Sequence, residues 1–360
     1  MTALDPAAFA RLLAGYCLDV QAGQQVAVRS TTLAEPLLLA LQDEILARGA
    51  WPLLRPSFPA AEERWWARAG DEHLDGFPSA DLAEVEATDA SLRIDAPANV
   101  RALADVDPAR ITRAARARVP VREAASQRRW CLTLWPTPAL AQQAGLPTAA
   151  FGSLVERALF LDRPDPVAAW RELHETQARL IERLAPVREI RIVAPGTDVT
   201  LNVEGRTWVN SDGKRNMPSG EVFTGPHETS ANGRVAFTIP TGPSGVDVAG
   251  VELEFRDGLV VEARAERGQA YLDEAIATDE GAARLGELGI GTNFGIAGRT
   301  GMILLDEKIG GTVHLALGRS YPETGGTNVS ALHWDLICDL RHGGRIEADG
   351  AVLQRDGVFA

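Results

Sequence analysis

The sequence predicts an α+β fold of two domains, an α/β domain over residues 1–186 and a β-rich domain over residues 187–360. Three observations lead to this prediction. The chain has 360 residues, of which 45% are hydrophobic, and this is enough apolar material for two cores. Helical and strand patterns alternate up to about residue 185. After Pro186 the pattern changes to short β-rich runs divided by Gly, Pro, Asn and Asp.

The first elements of the N-terminal domain alternate between helix and strand. Pro6 is a good first helical residue, and the apolar residues that follow it repeat at helical spacing. Residues 25–29 (QVAVR) predict a strand, residues 36–48 a helix and residues 51–55 the next strand. This alternation is typical of βα units.

The rest of the N-terminal domain continues the alternation of helix and strand. Further strands are predicted over residues 91–95 and 130–135, with helical stretches between them. A last helix opens at Pro166 and presents one apolar face. We therefore expect a mostly parallel sheet wrapped by helices, although the order of its strands does not follow from the sequence.

The C-terminal domain is predicted to be mainly β-structure. Its strand candidates are the runs IRIV, VTLNV, RVAFTI, VELEF and LVVEA. One helical interval interrupts them, near residues 269–288.

Composition excludes several classes of partner. The net charge of −13 is opposite to the basic surface that nucleic acids or anionic lipids require. The three cysteines are widely spaced and odd in number, which gives neither a disulfide framework nor a CxxC zinc site. No apolar run is long enough for a membrane span, and the N-terminus lacks the pattern of a secretory signal. We expect a cytoplasmic protein that acts on small molecules.

The chemistry-bearing residues gather in the last part of the sequence, in Gly- and Asn-rich strand and turn segments. They are Glu221, Glu287, His314, His333 and Asp335. Carboxylate oxygen and imidazole nitrogen are the ligands that divalent metals such as zinc, cobalt and manganese take, and a paired site needs a carboxylate to bridge the ions. His333 and Asp335 stand two residues apart, so on a strand they point to the same side.

Each of these residues also has a purely structural interpretation. His314 lies in the apolar run TVHLAL and is typical of a core histidine that donates to a carbonyl. Glu287 at a helix end and Glu221 on an exposed strand are common solvated acids. Only the conjunction of the five favours a metal site.

Other candidates are weaker. Tyr321 follows His314 before a turn, where its phenol could donate to an oxyanion or simply pack at a strand end. Lys308 could bind a substrate carboxylate, but we expect it to pair with Asp306 or Glu307. His227 is either a neighbour of the site or an exposed histidine. The sequence contains neither a P-loop nor HExxH nor a dinucleotide-binding glycine pattern.

Four segments carry a resemblance to a known family. In order and approximate spacing, the chain resembles the thermophilic metallo-aminopeptidases, the group of aminopeptidase T, aminopeptidase S and related leucyl aminopeptidases. The segments are NMPSGEVFTGPH, GIGTN, LDEKIGGTVHLALGRSY and GGTNVSALHWDLI.

The resemblance implies a fold and a site. It implies an α/β N-terminal domain, a β-rich C-terminal domain of the thermophilic metalloprotease type that carries a dinuclear metal site, and a homodimer. It further implies that two divalent metal ions, most simply zinc, are bound and that Tyr321 assists catalysis. The implied metal ligands are Glu221, Glu287, His314, His333 and Asp335.

The expected activity is therefore removal of N-terminal residues from short peptides by a metal-activated water at a two-metal site. We expect Glu287 to bridge the metals, with Glu221 as the alternative bridge. Glu221 otherwise serves as ligand and proton acceptor, and Tyr321 donates to the oxyanion.

Two other functions compete with this expectation. His314, His333 and Asp335 could form the two-histidine, one-carboxylate triad of a non-haem Fe(II) ring-cleaving dioxygenase, a class that is distantly similar to this family. That site has no need of Glu221 and Glu287, so the two glutamates favour the peptidase. A metal-stabilised binding module without turnover is the other alternative.

Overall fold

A computed structural model describes residues 4–242 and 246–360. The described chain forms two compact units. One contains the residues up to Val167 together with Gly213–Pro218, and the other contains Ala168–Asp212 and Ser219–Ala360. The domain boundary after residue 186 stays a prediction.

The regular elements are named in chain order. The α-helices are α1 (Pro6–Arg11), α2 (Glu35–Ala47), α3 (Ala61–Arg68), α4 (Asp71–Leu74), α5 (Ser79–Ala87), α6 (Pro108–Ala117), α7 (Val119–Ser126), α8 (Pro138–Gln143), α9 (Thr148–Ala158), α10 (Pro166–Leu184), α11 (Gln269–Ile276) and α12 (Ile303–Asp306). The strands are β1 (Gln25–Thr31), β2 (Trp51–Ser57), β3 (Ala90–Asp95), β4 (Arg129–Leu134), β5 (Glu189–Ala194), β6 (Thr197–Asn202), β7 (Val209–Ser211), β8 (Asn216–Met217), β9 (Glu221–Thr224), β10 (Asn232–Phe237), β11 (Val251–Arg256), β12 (Leu259–Arg264), β13 (Leu285–Gly291), β14 (Thr312–Gly318), β15 (His333–Asp339), β16 (Arg345–Ala348), β17 (Ala351–Arg355) and β18 (Val358–Phe359).

The first unit is built on a parallel sheet in the order β2-β1-β3-β4-β8. The interior of β1 is buried because helices cover parallel sheets on both faces. Helix α1 begins where the sequence predicts: Asp5 accepts a hydrogen bond from the backbone N–H of Ala7, and Pro6 follows as the first helical residue. The predicted mixed α/β architecture with a parallel sheet is confirmed, and β8 is an edge strand that the sequence pattern did not indicate.

The second unit contains two antiparallel sheets. One has eight strands in the order β12-β11-β10-β6-β5-β16-β17-β18. The other, called the site sheet below, has the order β15-β14-β13-β9-β7. Apolar side chains of both sheets and of α10 form one buried cluster, which includes Leu180, Ile192, Leu288, Leu315 and Leu336. One face of the site sheet therefore packs against the core.

The helical interval predicted over residues 269–288 is wrong in its second half. Helix α11 ends at Ile276, and Glu287 lies in β13 rather than at a helix end. Strand β13 pairs with β14 on one side and β9 on the other, which satisfies its backbone groups. Its glycines disfavour a helix, while Leu285, Leu288 and Ile290 pack into the core cluster.

Among the helices of the described residues, none is both long enough and apolar enough to span a lipid bilayer.

Candidate metal centre

One face of the site sheet brings the five predicted ligands together. Glu221 lies on β9, Glu287 on β13 and His314 on β14, while His333 and Asp335 both lie on β15. Strand register places Gly291 opposite Glu221 and Gly289 opposite His314. Because side chains alternate between the two faces of a sheet, this register puts all five on the face opposite the core cluster.

The side chains form two groups that share one carboxylate. His314 Nε2 lies 3.3 Å from Glu287 Oε1 and 3.5 Å from Glu221 Oε2. His333 Nε2 lies 3.4 Å from the other oxygen of Glu287 and 3.6 Å from Asp335 Oδ1. Within each group the donor atoms lie within 4.8 Å of one another. Glu287 therefore turns one oxygen to each histidine.

Burial and charge shift the protonation equilibria of the shared carboxylate and the histidines. Burial alone would raise the pKa of Glu287, but hydrogen bonds from His314 and His333 outweigh it and lower that pKa to about 2. Burial would likewise lower the pKa of both imidazoles. The neighbouring carboxylates reverse this, so the pKa of His314 rises to about 10 and that of His333 to about 9. The surroundings of both rings thus favour positive charge.

The other two carboxylates respond differently. Burial raises the pKa of Glu221, and burial together with the charge of Glu307 raises the pKa of Asp335 to about 7. Glu221 Oε2 and Asp335 Oδ1 are buried without a hydrogen-bond partner. Buried acceptors that lack partners, in a cluster that attracts positive charge, suit cations. The carboxylate and imidazole set therefore fits divalent metal ions.

Lys308 has one partner that the sequence predicts and one that it does not. Its ammonium contacts Glu307, as predicted, but also Glu221, whereas Asp306 accepts hydrogen bonds from the Thr300–Gly301 turn. Lys308 is buried, and although burial would lower its pKa, the two glutamates raise it. One oxygen of Glu221 is therefore occupied by Lys308, and Oε2 is the oxygen left for a cation.

Gly289 makes room for His314. A Cβ atom at this position would lie 2.0 Å from His314 Cε1 and 2.2 Å from Nε2. The imidazole thus lies directly against the backbone of β13, where only glycine leaves space for it.

Side-chain amides that donate to backbone carbonyls hold Glu221 in place. The side-chain amide of Gln177 on α10 donates to the carbonyls of Glu221 and Ser211 and to the hydroxyl of Thr292. Asn293 donates to the carbonyl of Ser219, two residues before Glu221. No local pattern in the sequence indicated Gln177 or Asn293, because both act across long sequence separations.

Tyr321 borders the cluster, whereas His227 contacts other partners. The ring centroid of Tyr321 lies 5.1 Å from that of His333 and 5.5 Å from that of Phe223. Burial, together with the charges of Glu287 and Asp335, raises the pKa of Tyr321, so its phenol stays protonated. His227 contacts Arg206 and the carbonyl of Glu204, and belongs to neither group of candidate ligands.

The chain is similar to known proteins over nearly its whole length. The family model described as thermophilic metalloprotease (M29) matches residues 5–359. Aminopeptidase 2 of Geobacillus stearothermophilus is 33% identical, over 98% of this chain and 95% of the relative. Aminopeptidase T of Thermus thermophilus is 29% identical, over 85% of this chain and 82% of the relative.

Two solved structures are similar in fold. Wild-type AmpT from Thermus thermophilus superposes with a TM-score of 0.85 at 26% identity, covering 99% of this chain and 98% of its own. A 2,5-dihydroxypyridine dioxygenase from Pseudomonas putida KT2440 superposes with a TM-score of 0.57 at 17% identity, covering 99% and 96%.

Proposed function

The chain belongs to the thermophilic metalloprotease (M29) family and is a metallo-aminopeptidase, and we propose that it removes N-terminal residues from short peptides at a two-metal site. The observation that carries this proposal is the position of Glu287, whose two oxygens face two separate histidines. A carboxylate in that position suits a bridge between two ions.

The assignment of ligands follows from the same geometry. Glu221, Glu287 and His314 would hold one ion, and Glu287, His333 and Asp335 would hold the other, in agreement with the two groups of donor atoms. Glu221 would use Oε2, because Lys308 holds its other oxygen. Zinc is the simplest occupant, and cobalt and manganese suit the same donors.

The bound ions supply Lewis-acid polarisation of the scissile carbonyl and a lowered pKa for the attacking water. The side chains accept the proton and donate the hydrogen bond to the oxyanion. Glu221 is proposed as the proton acceptor in preference to Glu287, because both oxygens of Glu287 face the histidines. Tyr321 keeps its proton and donates a hydrogen bond to the developing oxyanion.

Replacement of Tyr321 by phenylalanine tests this last role. The variant Tyr321→Phe keeps the ring contacts with His333 and Phe223 and loses only the hydroxyl. We expect kcat for Leu-p-nitroanilide to fall about a hundredfold, the range for one lost oxyanion donor, with metal content unchanged. Steady-state kinetics and elemental analysis measure both quantities. A full hydrolytic rate in the variant would remove Tyr321 from the mechanism.

The activity itself is tested with matched substrates. Short peptides should lose residues one at a time from a free N-terminus, and Leu-p-nitroanilide should release p-nitroaniline. N-acetylated versions of the same compounds should resist cleavage. Cleavage of the acetylated peptides at internal bonds would contradict the exopeptidase proposal.

The dioxygenase alternative has less support. The likeness to the dihydroxypyridine enzyme is at 17% identity and concerns the fold alone. A mononuclear iron site would use His314, His333 and Asp335 as ligands and would not need Glu221 or Glu287. A binding module without turnover is likewise disfavoured, because the chain is a metallo-aminopeptidase by family. We further propose a homodimer, as the family resemblance implies, and a reducing, cytoplasmic location, which suits the three free cysteines.

A further inference from the structure

Phe223 is an aromatic side chain beside the candidate centre that the chemistry proposed above does not use. It follows Glu221 by two residues on β9, and residues two apart on a strand share a face. Its neighbours Val222 and Thr224 are buried, whereas Phe223 is part-exposed. The ring therefore stands on the site face with some of its surface free for contact.

Phe223 forms an apolar strip with one aromatic and one aliphatic neighbour. The centroid of the Tyr321 ring lies 5.5 Å from that of Phe223 and 5.1 Å from that of His333. On the adjacent strand, Val209 of β7 stands directly opposite Phe223 in the strand register. Directly opposed residues of antiparallel strands point to the same face, so Val209 extends the strip.

The strip lies where a substrate side chain would be found. Tyr321 is assigned to the scissile carbonyl, and in an aminopeptidase substrate the side chain of the first residue is attached to the carbon next to that carbonyl. A ring beside Tyr321 would therefore lie near that side chain. The candidate ligands are carboxylates and imidazoles, and Phe223 with Val209 offers an apolar surface beside them.

We propose, on the basis of the function proposed above, that Phe223 is a specificity-determining residue that packs against an apolar side chain of the N-terminal substrate residue. The aminopeptidase should therefore prefer leucine or phenylalanine to alanine at that position. Apolar contacts of this kind discriminate by about tenfold to a hundredfold in kcat/KM.

The variant Phe223→Ala tests the proposal through a ratio of substrates. The ratio of kcat/KM for Leu-p-nitroanilide to that for Ala-p-nitroanilide should fall at least about tenfold, chiefly through KM, with unchanged metal content. Phe223→Trp fills more of the space for the substrate side chain and should also lower the Leu-to-Ala ratio of kcat/KM. This second variant keeps the proposal testable if the alanine variant does not fold. Phe58→Ala, at an exposed phenylalanine of the first unit, is the matched control and should keep the ratio.

The outcomes separate this inference from the proposed function. If kcat falls equally for both substrates and the ratio is kept, Phe223 only supports the Tyr321 ring, and the inference is overturned while the aminopeptidase stands. If the wild-type protein cleaves neither compound, the proposed function itself fails.

Discussion

The variant Glu287→Gln is expected to lose its bound metal and at least about a thousandfold of its hydrolytic rate. Glu287 presents one oxygen to His314 and the other to His333, so it belongs to both groups of candidate ligands. A neutral amide keeps the shape but loses the charge that two cations require. Because Lewis-acid assistance contributes several kcal/mol and about 1.4 kcal/mol is a factor of ten, a thousandfold loss is the minimum expected.

Elemental analysis and Leu-p-nitroanilide kinetics on the same preparation check this expectation. Glu262→Gln is the matched control, since Glu262 lies on β12 in an exposed ion pair with Arg264. The control should keep metal and rate. Two retained ions and a normal rate in Glu287→Gln would refute the bridging assignment.

The second large effect is expected from a single methyl group at Gly289. In Gly289→Ala the new Cβ would meet the His314 ring at 2.0–2.8 Å, a distance at which one of the two must move. Displacement of the imidazole removes His314 from the group of candidate ligands that it forms with Glu221 and Glu287, so we expect a rate loss of about a thousandfold. The overpacked strand should also lose about 1–3 kcal/mol of stability.

Gly298→Ala provides the comparison for this variant. A Cβ at Gly298 meets nothing within 4 Å, so this substitution should leave rate, metal content and thermal midpoint near wild type. Thermal unfolding and metal analysis of both variants give the contrast. A Gly289→Ala protein with normal metal content would show that the position of His314 over Gly289 has no part in metal binding.

Local patterns in the sequence predicted a large part of this structure. The alternation of helices and strands before residue 186 indicated the parallel sheet, because such patterns depend on neighbouring residues. His333 and Asp335 were expected to share one side of a strand, and both lie on β15. The family resemblance named the five candidate ligands, which the site sheet brings onto one face.

Contacts across long sequence separations were not predictable in this way. Lys308 reaches Glu221 across 87 residues, and Gln177 reaches the carbonyl of Glu221 across 44. Glu287 was expected near a helix end because the helical pattern of α11 precedes it, yet pairing with β9 and β14 makes that segment a strand. Tertiary pairing overrides a local pattern in such cases.

Metal stoichiometry against activity tests the central proposal most directly. Protein stripped with a chelator is titrated with zinc, cobalt or manganese while bound metal per chain and Leu-p-nitroanilide hydrolysis are followed together. A two-metal aminopeptidase should be inactive when stripped and reach full rate at about two ions per chain. Normal hydrolysis by metal-free protein, or one tightly bound iron per chain without any cleavage, would contradict it.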